Sequence, residues 1–147
     1  MGEELIFKTI KLRGEYVEML FMARASREGL QVSKPYGDSA AYDFIVEAGS
    51  LCSRVQVKST AFQNCLGYRC CVQGAGKRKY SLDSFDFLVV YIVPSATWYI
   101  IPRFAFTGRA INLRPGKQGS KYYPYEEAWD SLKPTRAEPS NEQQIQL

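Results

Sequence analysis

Residues 42–60, YDFIVEAGSLCSRVQVKST, alternate apolar and polar side chains, with Tyr42, Phe44 and Val46 in one run and Val55 and Val57 in the next. A period of two marks half-buried strands. Gly49-Ser50 between the runs suits a two-residue type II′ turn, whose first position needs the positive φ that glycine adopts without penalty. Counting outward from that turn sets the register: Ala48 faces Leu51, Glu47 faces Cys52 and Asp43 faces Gln56. Opposed residues share a face, and so do diagonal neighbours two positions along. Asp43, Gln56 and Lys58 therefore converge on one face, as an acid, an amide and an ammonium. Taken alone, this face is equally consistent with a functional cluster and with the solvated side of an antiparallel sheet.

The rest of the chain supplies a helix and further strands. Residues 13–28, RGEYVEMLFMARASRE, predict a helix with Val17, Leu20 and Phe21 on its apolar side and Gly29 to end it. LQVSK at 30–34 predicts a short strand leading into the turn-rich PYGDSA. After the hairpin, GYRCCVQ predicts another strand and GAGKRKYS a basic loop. FDFLVVYIV at 85–93 is apolar throughout and β-branched, the pattern of a buried strand, and Pro94 stops it. TWYIIP pairs with it across PSA. Residues 102–124 read as loop, with Gly108, Pro115, Gly116 and Gly119. PYEEAWDSL predicts a short helix with Pro124 at its start. The tail at 133–147, KPTRAEPSNEQQIQL, is polar, holds two prolines and is expected to be disordered. Helix, mixed sheet and short helix make one α/β domain over residues 1–132.

A chain of 147 residues fits that single domain, and at this size about 68–70% of the unfolded surface is buried on folding. No apolar run is long enough to span a bilayer, and MGEELIFKTIKLRGE lacks the layout of a signal peptide. The expected compartment is the cytoplasm, with no membrane partner. The four cysteines, Cys52, Cys65, Cys70 and Cys71, form no Cys-x-x-Cys pair, and the chain contains no histidine. A zinc site is therefore not indicated, and the thiols are expected to be reduced and mostly buried. The missing histidine also removes Ser-His-Asp and Cys-His catalysis. Any catalysis must use carboxylates, lysine, tyrosine or a bound metal. GAGKRKY lacks the first glycine and the Ser or Thr of a phosphate-binding P-loop and supports only a basic turn.

Charge is distributed unevenly. The net charge is +4, but between Ala48 and Tyr125 eleven basic residues face two acids, Asp83 and Asp86. A segment so one-sided points to a polyanionic partner, most simply nucleic acid, the alternative being a solvated basic face with no partner.

RGEYVE, PYGDSAAYDFIVE and RVQVKST follow in that order at short spacing, and together they resemble the PD-(D/E)XK nuclease superfamily. The resemblance covers residues 13–132 and extends to DSFDFLVVYI, TWYIIP and EEAWDSL. It implies an α/β restriction-endonuclease-like core, a central mixed β-sheet flanked by helices. In that family the active site takes an acid from the first helix, an acid from the second strand and an acid-x-Lys pair from the third. Glu18 fits the helix acid, Asp43 the strand acid, and Gln56 and Lys58 the final pair. Tyr42 stands where the motif has proline. Gln56 stands where it has Asp or Glu, and such Gln-x-Lys sites resemble those of intron-encoded homing endonucleases and related small bacterial endonucleases.

The resemblance implies Mg2+-dependent hydrolysis of double-stranded DNA, of homing or restriction type, with Mn2+ as a substitute ion. A Holliday-junction-resolving or repair nuclease, and a catalytically silent DNA-binding domain, share the same core. Asp43 would be the principal metal ligand, with Glu18 reaching the ion directly or through water. The Gln56 side-chain oxygen and the Val57 carbonyl are further candidate ligands, and Lys58 would orient water or face the phosphate. Glu15, one turn before Glu18, is the alternative helix acid, and Asp38 reads as a turn residue. DNA contacts are expected from Lys77, Arg78, Lys79, Arg103, Arg109, Arg114, Lys117 and Lys121, mainly to phosphate. Cutting both strands requires two sites, so a homodimer or homotetramer is expected.

Overall fold

The computed structural model describes residues 7–74 and 78–135. Lys77 and the expected tail beyond residue 135 lie outside the described residues. Helix α1 spans Ile10–Arg27 and begins a turn earlier than the sequence pattern suggested, because the Thr9 side chain accepts the Leu12 N–H at 3.1 Å. At its other end the Gly29 N–H donates to Ser26 O and the Leu30 N–H to Ala25 O. That pair of bonds is a Schellman closure, and Gly29 takes the φ of 82° it requires.

Strands β1 (Gln31–Ser33), β2 (Phe44–Ala48) and β3 (Leu51–Thr60) follow, the last two as the expected hairpin. Ala48 pairs with Leu51 and Glu47 with Cys52, as the turn-based count required. Gly49 has a φ of 59° and Ser50 is not left-handed, as a type II′ turn demands. Strands β4 (Gln63–Asn64) and β5 (Gly67–Cys71) form a second hairpin. Strands β6 (Phe87–Ile92) and β7 (Thr97–Pro102) form a third, and β8 (Ala110–Leu113) comes last. The main sheet has the order β1-β2-β3-β6-β7, antiparallel except where β3 and β6 run parallel. A smaller sheet has the order β4-β5-β8.

This is a mixed α/β fold in layers. Helix α1 covers one face of the main sheet, where Val17, Phe21 and Ala25 pack on Phe44, Val46, Val55, Val57, Val89 and Ile100. The other face places Leu88, Val90, Ile92, Tyr99 and Ile101 against Cys70, Val72, Ile111 and Leu113. Strand β6 serves both layers, which explains its unbroken apolar run.

Three sequence expectations are corrected. The segment read as loop after residue 102 contains β8, whose AINL is too short for its alternation to stand out among the flanking glycines and prolines. In place of a short C-terminal helix there are two 3-10 turns, Tyr123–Tyr125 and Trp129–Leu132. The chain between them is diverted to close the outer edge of β7. The Glu127 N–H donates to Trp98 O at 2.8 Å, and its carboxylate accepts the Trp98 N–H at 3.0 Å and the Trp129 indole N–H at 2.8 Å. The cysteines are free, but only Cys70 is buried, and its thiol is pushed up to about 12 by desolvation. Cys71 alternates onto the outer face of the small sheet, and Cys52 and Cys65 are exposed. Lys133, at the start of the expected tail, donates to Glu28 at 3.1 Å and to Asp130 at 3.2 Å.

Candidate active site

Strand β3 outruns β2. Their ladder ends at Phe44 opposite Val55, and one further bond, Asp43 N–H to Val55 O at 2.9 Å, carries Asp43 alongside Gln56. Beyond that point the N–H of Val57 has no strand partner on this side. The Asp43 side chain takes its place, with Oδ2 accepting the Val57 N–H at 2.8 Å and the Gln56 amide Nε2–H at 2.9 Å. Both bonds fall on one oxygen, which fixes the carboxylate by its Oδ2 edge. Asp43 and Gln56, joined on paper only by counting from a turn, are bonded to each other.

Burial raises the Asp43 pKa above the usual carboxylate value, and the Glu18 charge pushes it the same way. The Val57 N–H, Lys58 and Lys34 pull it down. Glu18, half-buried on α1, lines a cleft of about 230 Å3 together with Asp43, Lys34 and Asp38. Glu15 is exposed, so the helix acid that faces the cleft is Glu18. Asp38 is exposed on the wall of the same cleft. Lys58 is half-buried on the Gln56 side of β3, with its Nζ 5.8 Å from the Tyr80 ring centroid. Gln56 itself is 8% exposed, because this face of the sheet lies under the β4-β5-β8 layer. Of the two alternatives for this face, the burial of Gln56 favours the functional cluster over a solvated sheet side.

Sequence reasoning missed Lys34. It was placed at the end of a strand and given no role, yet its Nζ donates to Glu18 Oε2 at 3.4 Å and lies 5.3 Å from the Phe44 ring centroid. A lysine immediately before the cleft-forming PYGD was the available signal. Arg13, one turn ahead of Val17 on α1, donates from Nε to Ser59 Oγ at 3.2 Å and ties the helix to β3.

The expected DNA-contacting residues divide into two groups. Arg78, Lys79, Arg109, Lys117 and Lys121 are exposed. Arg114 is half-buried and donates to Cys65 O and Leu66 O at 3.0 Å. Arg103 is 7% exposed and belongs to the core. Its guanidinium donates to Tyr80 O at 2.6 Å, Phe106 O at 3.1 Å and Ser81 O at 3.3 Å, and sits over the rings of Phe85 and Phe106. The expectation that Arg103 grips DNA is corrected, because its guanidinium is buried and bonded to three backbone carbonyls. Arg103→Ala is expected to lower stability in urea by about 2–4 kcal/mol, since it takes a donor from the Tyr80 and Phe106 carbonyls and removes aromatic packing. The duplex affinity of the folded fraction should stay at the wild-type value.

Among the described residues no three His, Cys, Asp or Glu side chains converge on a common point. The donors at hand are the Asp43 and Glu18 carboxylates, the Val57 carbonyl and the Gln56 side-chain oxygen. These are hard oxygen ligands, with two negative charges in one cleft and one of them held above its ordinary pKa by burial and repulsion. That set fits a single hard divalent ion that keeps several of its waters.

A model of the PD-(D/E)XK endonuclease family matches residues 8–132. Among solved structures, the bacterial homing endonuclease I-Ssp6803I superposes with a TM-score of 0.72 at 26% identity, covering 84% of this chain and 93% of that one. The structure of MepB aligns at 11% identity and a TM-score of 0.37 over 86% of this chain and 95% of its own. No curated protein sequence matches. With the helix, the hairpin, the parallel β3–β6 pair and the motif order all in place, the chain belongs to the PD-(D/E)XK endonuclease family.

Proposed function

We propose that this nuclease is a Mg2+-dependent endonuclease that hydrolyses phosphodiester bonds of double-stranded DNA, with Mn2+ able to replace Mg2+, and that its role is of the homing or restriction type. The observation that carries the reading is the Asp43 carboxylate, fixed through Oδ2 by Gln56 and the Val57 N–H and sharing its cleft with Glu18. Asp43, Glu18, the Val57 carbonyl and the Gln56 oxygen would hold the ion, which when bound lowers the pKa of water and offsets charge on the phosphate.

The chain's own groups do the rest. The Val57 N–H and the Gln56 amide hold Asp43 in one rotamer, so no reorganisation is needed when substrate arrives. Lys58 brings a positive charge to the same side of β3 and would face the scissile phosphate. Incubating linear and four-way-junction duplexes with Mg2+, Mn2+ or a chelator tests the proposal. Cleavage of linear duplex that stops on chelation is the expected result. Preference for the junction would indicate the resolving nuclease, and duplex binding with no cleavage the silent DNA-binding domain.

Two further outcomes are expected. Duplex affinity should fall steeply as salt rises, because each phosphate neutralised by Arg78, Lys79, Arg109, Lys117 or Lys121 releases counterions. A flat response in fluorescence anisotropy would remove these residues from the interface. Sedimentation should give a homodimer or homotetramer, since double-strand cleavage calls for two sites related by the two-fold symmetry of the duplex. A monomer that breaks both strands in one event would contradict this.

A further inference from the structure

The Lys34–Glu18 pair lies in the candidate metal cleft and is used by no step above. The charged residues that line it are the carboxylates Glu18, Asp38 and Asp43 and the Lys34 ammonium. Negative charge is in excess there when no metal ion is bound. Among the described residues the cation bonded to a cleft carboxylate is Lys34, at 3.4 Å from Glu18 Oε2, whereas Lys58 makes no ion pair within 4 Å. Lys34 lines the same cleft as Glu18 and Asp43 and is paired with a carboxylate that a divalent ion there would use. Its side chain is 57% exposed, so it can leave, and its resting place over the buried Phe44 ring keeps it beside the cleft.

We infer that Lys34 is a resident counter-ion that the metal displaces from Glu18, and that the displaced ammonium then binds a phosphate of the substrate backbone next to the scissile bond. This rests on the metal-dependent reading above. A divalent ion and Lys34 cannot both neutralise Glu18 at close range, because like charges repel in a site partly shielded from water. Backbone phosphates arrive with the substrate and give the freed cation a new partner. The exchange gives Glu18 one positive partner in each state and opposes metal binding when no DNA is present.

The inference calls for two effects of opposite sign from one substitution. In Lys34→Met the affinity for Mn2+ in the absence of DNA, followed by calorimetry, should rise roughly three- to fivefold, the size expected from removing a partly exposed ion pair. Single-turnover cleavage at saturating Mn2+ should slow by a similar factor. Lys34→Arg keeps the charge and should hold both quantities near wild type. In a Glu18→Gln background, Lys34→Met should shift Mn2+ affinity far less than it does alone.

A lysine with a merely structural role would lower metal affinity and cleavage together, and that result would overturn the inference. Unchanged metal affinity in Lys34→Met would also overturn it. Tighter metal binding with unchanged cleavage would overturn the phosphate contact. If the wild-type protein neither binds Mn2+ nor cuts DNA, the metal-dependent reading fails and takes this inference with it. A wild type that binds and cuts, beside a Lys34→Met that binds Mn2+ no tighter, defeats this inference alone.

Discussion

Lys58→Ala is expected to slow single-turnover cleavage roughly a hundred- to a thousand-fold, the usual loss when one charge-stabilising donor is removed from a hydrolytic site. Mn2+ affinity measured without DNA should stay within about twofold of wild type, because lysine offers a metal ion no lone pair while protonated. Asp43→Ala should behave differently and lose both cleavage and metal binding. It removes the principal anionic ligand and also leaves the Val57 N–H and the Gln56 amide without their acceptor. Asp43→Asn separates the two losses, since the amide oxygen can still accept a hydrogen bond while the charge is gone. Near-native stability with no metal binding is the expected outcome. Should Lys58→Ala cut at the wild-type rate, the acid, amide and ammonium would not form a catalytic set.

The second large effect is expected at Gln56. In the structure its amide donates to Asp43 Oδ2 at 2.9 Å, so Gln56 holds its neighbour in place as well as offering an oxygen of its own. Gln56→Glu replaces that donor with a carboxylate in a position that is 8% exposed and directly against another carboxylate. In metal-free buffer at neutral pH the variant should lose about 2–3 kcal/mol, because a buried acceptor pair now lacks a proton and a counter-charge. Divalent metal should reverse the sign. The added ligand charge is expected to tighten Mn2+ binding by roughly tenfold, so thermal unfolding should recover steeply as Mn2+ is added. A melting temperature that ignores both the substitution and the metal would take Gln56 out of the site.

Much of this site was legible because the hairpin is local. A two-residue turn at Gly49-Ser50 fixes the pairing of β2 with β3, and pairing puts Asp43 beside Gln56 without any tertiary information. Strand β6 was legible for a related reason, since only a strand covered on both faces is apolar at every position. What could not be read depends on parts of the chain distant in sequence. Burial of Gln56 comes from the layer built by β5 and β8, and β8 is a four-residue strand recognisable only by its partner. Arg103 looked like its basic neighbours, yet carbonyls from Tyr80 and Ser81, more than twenty residues earlier, turn it inward. Lys34 acquires its role from Glu18, sixteen residues away on another element. The EEAWDSL segment carried helix-forming residues, but the exposed backbone of β7 offered Glu127 better partners, and the Gly116 N–H engaged Glu126.

The closure of β7 bears on how two copies of this chain could meet. An unpaired strand edge is a template on which another chain can add, and many proteins dimerise by running one sheet into the next. Here the Trp98 N–H and C=O are already taken by the side chain and backbone of Glu127, and Tyr99 bridges to Glu126. The opposite edge, β1, is three residues long. Among the described residues, one edge of the main sheet is covered at Trp98 and Tyr99 and the other is short. A symmetric pair that met at the main sheet would therefore join through side-chain surfaces, so its geometry can drift by surface substitution while the sheet, and the cleft set into it, stays the same.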